Sequence, residues 1–484
     1  MRRTRNTLYL SAARLLGQAV SFFTFPLILG VLGKEGWGVC TMLMAFWVFI
    51  GLVDLGIGDG LSRMLIAKIG AGDVDGAKAV HRTLDRLLWI VGCIQLVIFG
   101  VLALVQHGSF ALYMLAGCAL ITRTAMTYST SWFAAHHDFR DVAIANVINN
   151  LVTALGSLAL VFWLRRPEAI FLGWTLAGLG ATAYTRIRLA RLGHLGGSAS
   201  MAHAKEASIF GRKFLISKIA VAFAMGSDKL AIQNQLGAGA LGAYSTGCRL
   251  PEAGSEVLPL FSISGPEMIQ AREKGPEAFA HSVNHNLRMA LLVVVVALAI
   301  PCSFGSTFGR AWLGTHFAPE IGWTMVLMGS YYAMAIFGGV AAQVIMATGK
   351  VEQVLPFTIF NGAVTLLASP FVAMRYGIVG VAVMNLGINL VQFVPLMAVT
   401  LRMAMDGPET RRTLAALSGT LLIGVGAVSA GVALSNWLVT QGWNWGFLVG
   451  APLLMVVVSA AVVGLGLSPM PHLFSRIKAL GRKV

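Results

Sequence analysis

Apolar residues run along this chain in long blocks separated by short polar breaks, and the block lengths are those a bilayer sets. A spanning helix needs roughly 20 apolar residues. Fourteen stretches qualify: 8–32, 37–59, 87–106, 110–131, 142–164, 169–189, 214–236, 240–264, 287–309, 321–347, 354–374, 377–401, 413–436 and 445–467. The first follows Met1-Arg2-Arg3-Thr4-Arg5, which has the look of a signal-peptide start. Its apolar run of about 25 residues contains Arg14, whereas cleaved segments hold roughly 7–15 apolar residues, so it is expected to stay as a helix. The pattern predicts an all-α polytopic membrane protein with about 14 transmembrane helices.

Composition agrees. Of 484 residues, 57% are hydrophobic and 12% charged, against about 25% charged in a soluble domain, and the mean hydropathy is +0.76. The five cysteines (Cys40, Cys93, Cys118, Cys248, Cys302) all fall within predicted spans, where a thiol behaves as a small apolar group. No disulfide framework follows from them.

The longest polar interruption, about residues 190–212, comes after the sixth span and reads as a cytoplasmic linker between two six-span halves. Two internal echoes support that division. Leu32-Gly33-Lys34-Glu35-Gly36-Trp37-Gly38-Val39-Cys40-Thr41 recurs, at an offset of 204, as Leu236-Gly237-Ala238-Gly239-Ala240-Leu241-Gly242-Ala243-Tyr244-Ser245. Asn149-Asn150-Leu151-Val152-Thr153-Ala154-Leu155-Gly156-Ser157 recurs, at an offset of 212, as Asn361-Gly362-Ala363-Val364-Thr365-Leu366-Leu367-Ala368-Ser369. Both pairs lie six spans apart, as a duplicated six-helix unit requires. The expected organisation is an N-terminal lobe (1–190), a linker (191–211), a C-terminal lobe (212–404), and two additional helices with a basic tail (405–484).

The net charge of +16 raises nucleic acid as a partner, but its placement argues against that. With the N-terminus in the cytoplasm, 27 of the 36 Lys and Arg lie on the cytoplasmic side, counting Arg14, Arg186, Arg188 and Arg288 in the inner turns of their spans, five lie on the other, and four remain within the membrane. That is the positive-inside asymmetry, and it places both termini in the cytoplasm of a cell whose inner membrane holds the protein. Trp37, Trp163, Trp174, Trp437, Trp443 and Trp445 fall near predicted outer ends, as an aromatic belt does. The tail residues Arg476, Lys478, Arg482 and Lys483 suit anionic membrane lipid.

The four intramembrane cations are Arg123, Lys218, Lys229 and Arg249. Each costs about 2.5–3.5 kcal/mol at a helix centre, so such residues mark a water-filled path or an internal partner. Arg249, Glu252 and Glu256 share one face of span eight, and Pro251 and Pro259 predict a kinked or unwound helix there. Arg249 and Glu252 either neutralise each other or leave Arg249 for a substrate phosphate. Lys218, one turn inside its span, either snorkels to the interface or lines the path. Asp228 and Lys229 are adjacent and project on different faces. Arg14 lies two turns into span one. Asp54 and Asp59, near the inner end of span two, are expected to pair with Arg63 or neighbouring loops. The ten histidines fall in predicted loops, and no spacing resembles a metal site.

Several motifs resemble one family. Phe25-Pro26-Leu27, Leu32-Gly33, Gly36 through Gly38, Asp54-Leu55-Gly56 with Arg63, Ser227-Asp228-Lys229-Leu230, Leu241-Gly242-Ala243-Tyr244, Arg249-Leu250-Pro251 and Ala347-Thr348-Gly349-Lys350 are similar to Wzx-type polysaccharide (O-antigen) flippases of the polysaccharide transporter family. The resemblance covers about residues 5–400 and implies membership of the multidrug/oligosaccharidyl-lipid/polysaccharide exporter superfamily. It further implies a MATE/MurJ-like fold, with two six-helix lobes around a central cavity. Fourteen spans depart from the twelve common in such flippases and resemble the lipid II flippase MurJ in having extra helices.

The function these readings imply is translocation of an undecaprenyl-diphosphate-linked oligosaccharide from the inner to the outer leaflet by alternating access, for polysaccharide biosynthesis. Substrate-binding candidates are Arg14, Arg123, Lys218, Lys229 and Arg249, guanidinium being suited to bidentate phosphate contact. No cofactor is called for; coupling to H+ or Na+ is left open, with Asp228, Glu252 and Glu256 as the acids that would carry it. Polysaccharide polymerase and glycosyltransferases are expected as partners. A MATE-type ion-coupled exporter of small molecules would share the fold but call for an acidic cavity. A membrane glycosyltransferase or polymerase would carry a large external loop, and every predicted outer loop here is short. No catalytic motif is present, so an enzyme is not expected.

Overall fold

The computed structural model describes residues 2–136, 138–194, 196–257, 274–348, 350–405 and 407–441, with a few further positions at 268–272 and 450–461. Of the fourteenth predicted span only those last positions are described, all of them helical, and the basic tail and Pro259 lie outside the described residues. Helices account for nearly all of the rest, and no strand occurs among the described residues. The order is α1 Arg2–Ile50, α2 Ile57–Gly70, α3 Val74–Val105, α4 Phe110–Ala135, α5 Phe139–Leu151, α6 Ser157–Leu164, α7 Glu168–Arg191, α8 Met201–Leu236, α9 Ala238–Val257, α10 Pro276–Leu313, α11 Pro319–Ala347, α12 Leu355–Ala404 and α13 Gly407–Thr440.

Seven described helical runs are long and apolar enough to cross a membrane. Two of them, 43 and 50 residues long, are about twice the roughly 20 residues a bilayer needs. Each is broken by a glycine with a positive φ, Gly33 in α1 (φ 67°) and Gly377 in α12 (φ 64°), so each holds two successive spans. The breaks recur at the offsets of the sequence echoes. Gly237, between α8 and α9, has φ 83° and ψ 177°, matching φ 67° and ψ 177° at Gly33. Arg165, after α6, has φ 51° at the place where Gly377 stands in the later half.

The chain forms two compact units, one of residues up to Gly242 together with Thr365–Pro370, the other of Ala243–Val364 and the residues from Phe371 on. In the first, Leu61, Leu65, Leu84, Tyr128, Trp132 and Leu189 form a buried cluster that ties α2, α3, α4 and α7 together. The Trp47 indole donates to the Ala116 carbonyl (3.1 Å) and its ring packs on Phe171 and Trp174. In the second, a core running through Leu287, Val294, Phe337, Val344 and Leu401 joins α10, α11 and α12. There α13 lies along α10, with Thr307 and Ser435 hydroxyls 3.0 Å apart.

Three sequence expectations change. Of the polar interruption at 191–211, only about residues 192–200 lie outside helices, because α8 begins at Met201 in a stretch rich in helix formers (Ala202, Ala204, Lys205, Glu206, Ala207). His81 lies within α3, not a loop: Asp73 caps that helix by accepting the Gly76 N–H (2.9 Å), which starts it more than a turn before the apolar run. Pro251 sits inside α9, which stays helical from Ala238 to Val257, so of a kink or an unwound turn the unwound turn does not occur there. A proline deletes one intrahelical donor, and the neighbouring bonds carry the helix past it.

Candidate functional site

In the first unit the charged candidates are presented by α1, α4 and α8. Arg14 and Arg123 are exposed on α1 and α4. One turn beyond Arg14, Gly17 lies against the side chain of Asn150. Asn150 precedes a π-helical turn, Val152–Gly156, that joins α5 to α6. Such turns widen a helix and are frequent at functional sites, and this one coincides with the first copy of the 212-residue echo.

Lys218 is not left to solvent. Its ammonium bridges to the Asp59 carboxylate at the start of α2 and stands 3.9 Å from Asp54. The local fold sets this up: Asp54 closes a tight turn by accepting the Gly56 N–H (3.0 Å), with Leu55 at φ 50°, so both carboxylates come to one side of α8. Asp59 therefore finds its partner on α8, where the sequence pointed to Arg63 or a loop. Further along α8, Asp228 is 4% exposed and accepts the backbone N–H of Lys229 (2.7 Å), while the Lys229 side chain is half-buried.

In the second unit, Arg249 is half-buried on α9, one turn before Glu252. Glu252 accepts a hydrogen bond from the Tyr332 hydroxyl on α11 (2.9 Å). Glu256 is in α9, and its side chain lies outside the described residues. The same part of the unit holds a polar set that sequence reasoning missed. The fully buried Tyr244 hydroxyl accepts from Asn385 (3.0 Å), and Asn389 donates to the Tyr331 carbonyl (3.1 Å) and accepts from Gln392 (3.0 Å). The signal was present: adjacent tyrosines and two asparagines at i, i+4 inside apolar runs are costly unless paired.

A second missed feature joins α3, α4, α5 and α7. Arg186 holds Asp85 through both guanidinium nitrogens, and Arg188 and Tyr184 both bind Asp141 (3.0 and 2.6 Å). These arginines are thereby committed to packing. Beside them the Trp132 ring is bracketed by His81, His136 and His194 at centroid distances of 5.5, 5.2 and 5.2 Å. Burial, and the neighbouring His136 and Lys78, hold the His194 imidazole below the ordinary histidine range.

The chemistry available is thus anion attraction by cations in the first unit and, in the second, a half-buried carboxylate and phenol, Glu252 and Tyr332, with Tyr244, Asn385 and Asn389 buried in internal hydrogen bonds. A family model described as polysaccharide biosynthesis protein matches residues 4–262. No curated protein matches the chain. Among solved structures, the lipid II flippase MurJ in an inward closed conformation is similar with a TM-score of 0.69 at 10% identity, covering 94% of this chain and 98% of that one. A multidrug resistance MATE family transporter of the MOP superfamily, inward-facing, gives 0.63 at 16% identity over 84% of this chain and 99% of that one. A MOP superfamily transporter from Pyrococcus furiosus, whose binding pocket is described as reversed in polarity, gives 0.59 at 14% identity over 85% and 96%. These likenesses establish the fold: a multi-pass, all-helical membrane protein of the MATE/MurJ type.

Proposed function

The chain belongs to the polysaccharide biosynthesis protein family, and from that premise we propose that it is a flippase for a lipid-linked oligosaccharide. The substrate is a diphosphate-linked glycan on a polyprenyl carrier such as undecaprenol, moved from the inner to the outer leaflet of the cytoplasmic membrane by alternating access. Two duplicated six-helix lobes, followed by two added helices, are the working parts. The observation that carries this reading is the family match, because the matched residues 4–262 contain all five candidate cations, Arg14, Arg123, Lys218, Lys229 and Arg249.

The physical task fits those residues. Sugars and a diphosphate cannot enter hydrocarbon without losing hydration worth several kcal/mol per polar group, so the head group needs a polar path while its tail stays in lipid. Guanidinium groups match phosphate bidentately, and a carboxylate with a phenol, as Glu252 and Tyr332 present together, suits sugar hydroxyls. With the cell interior negative, outward movement of an anion is favoured by about 2.3 kcal/mol per charge per 100 mV. The membrane potential therefore supplies a drive even without ion coupling; Asp228, Glu252 and Glu256 are where coupling to H+ or Na+ would act.

Deleting the gene in its host tests the reading. The expected result is that lipid-linked oligosaccharide accumulates on the inner leaflet, that polymerised glycan is lost, and that the wild-type gene restores both. Normal glycan export together with loss of efflux of cationic small molecules would instead support a MATE-type exporter.

A further inference from the structure

The second unit contains a cavity that none of the transport candidates touches. Its volume is about 580 Å³, and Arg272, Thr348, Lys350 and Arg402 line it together with the apolar Phe279 and Met403. Three helix ends converge there. Gly275 and Pro276 begin α10, Thr348 and Lys350 follow the end of α11, and Arg402 is in the last turn of α12. The charge asymmetry along the chain assigns all three ends to the cytoplasmic side.

The electrostatics of this cavity are one-sided. Among the described residues, three cations and no acid line it, and none of the three forms an ion pair. The lysine and both arginines are exposed. Arg272 is held in place: one terminal nitrogen donates to the Ala347 carbonyl at the end of α11 (2.8 Å), which leaves the rest of its planar fork for another acceptor. The first turn of α10 follows Gly275 with no side-chain cap, so the N–H groups after Pro276 have no capping side chain. Concentrating like charges raises the cost of the empty site and lowers that of the anion-bound one.

We propose that this cavity is a binding site for a phosphate ester, with Arg272, Lys350 and Arg402 on the phosphoryl oxygens and the attached organic moiety against Phe279 and Met403. Size decides between a bare ion and an ester: about 580 Å³ is in the range of small-molecule pockets, roughly 300–1,000 Å³, and far exceeds what one phosphate fills. The chemistry is common to an anionic lipid headgroup of the cytoplasmic leaflet and to a soluble cytosolic phosphate ester. The site is independent of the proposed transport residues, and its occupation would be felt where α10, α11 and α12 meet.

The test uses the full-length protein in phosphatidylcholine nanodiscs. Binding is measured for two probes, a short-chain phosphatidic acid and UDP, in wild type, in Arg272→Gln/Lys350→Gln/Arg402→Gln, and in Arg140→Gln/Arg191→Gln/Lys205→Gln, which removes equal charge elsewhere. The site predicts that at least one probe binds wild type and the control triple alike, and that the cavity triple weakens it by about tenfold or more, as loss of charge-assisted bonds requires. Phosphatidic acid alone identifies the lipid as source, UDP alone the soluble ester. Lys350→Gln by itself, which removes no intramolecular bond, is expected to weaken binding about threefold or more and keeps the test valid if the triple is unstable. Equal binding by wild type and both cavity variants, or no binding of either probe to wild type, would overturn the proposal.

Discussion

Gly38 and Gly242 meet reciprocally within the first unit: a side chain on Gly38 would run into the Ala238 carbonyl, and one on Gly242 into the Lys34 carbonyl. The two glycines are 204 residues apart, and so are Lys34 and Ala238. The sequence echo is therefore a physical self-match, in which each copy of the motif supplies the backbone that its counterpart's missing side chain admits. Close helix contact through small residues is the usual basis of packing inside a membrane. The helix breaks at Gly33 and Gly237 stand at the same offset and orient the two segments for it.

That reciprocity predicts large, coupled effects of small substitutions. Gly38→Ala and Gly242→Ala should each destabilise the protein by about 1–3 kcal/mol or force the segments apart, seen as a lower melting temperature in detergent. The double variant should cost less than the two singles combined, because one separation relieves both clashes. Gly426→Ala, with nothing within 4 Å of the added carbon, should leave melting unchanged.

The pair between Lys218 and Asp59 joins side chains that are 34% and 57% exposed, and pairs of that exposure contribute about 0–1 kcal/mol. Lys218→Ala should accordingly leave abundance and melting near wild type while lowering transport. The exchange Lys218→Asp with Asp59→Lys should not restore transport if the ammonium serves the substrate. Full restoration would show that the pair is purely structural.

Tyr332→Phe removes the hydroxyl that Glu252 accepts. A carboxylate left short of a donor costs about 1–3 kcal/mol, so melting should fall, and Glu252→Ala should fall as well through the stranded hydroxyl. Glu252→Gln keeps an acceptor oxygen and should melt close to wild type. Equal loss in Glu252→Gln and Glu252→Ala would place the importance in the charge.

Stability should decline in mild acid through His194. Its folded-state affinity for a proton is depressed, so the unfolded chain binds protons more readily. The contribution of the neutral ring is complete above the unfolded value of about 6.5 and is lost as pH falls below it. Melting temperature measured at neutral pH and again a unit or more below that value should drop for wild type and drop less for His194→Phe, which keeps the aromatic contact with Trp132.

Much of the fold was legible because a bilayer imposes one length and one solvent on every helix. Apolar runs predicted helices; the first echo contains the breaks at Gly33 and Gly237, and the 212-residue offset of the second also separates the breaks that the structure shows at Arg165 and Gly377. Pairings were not legible. Lys218 finds Asp59 and Asp54, Tyr332 finds Glu252, and Arg186 finds Asp85 across long sequence separations, which no local periodicity encodes. Helix ends shifted for a related reason: capping by Asp73 and polar helix formers after Ser200 extend α3 and α8 beyond the apolar cores that hydropathy detects. The cations stood out as anomalies in apolar runs, whereas Tyr244, Tyr332, Asn385 and Asn389, milder in polarity, gave a weaker signal of the same kind.

The proposed transport of a diphosphate-linked glycan, with Arg249 on the phosphate, can be followed in proteoliposomes holding purified full-length protein and a fluorescent undecaprenyl-diphosphate oligosaccharide, as the fraction reached by an impermeant quencher. Wild type should exchange the probe between leaflets, Arg249→Ala should be slower by about tenfold or more at equal reconstitution, and Arg249→Lys should recover only part, since a point charge lacks the bidentate fork. Wild-type rates in Arg249→Ala would remove Arg249 from the phosphate site, and no exchange above protein-free vesicles in wild type would rule out this substrate.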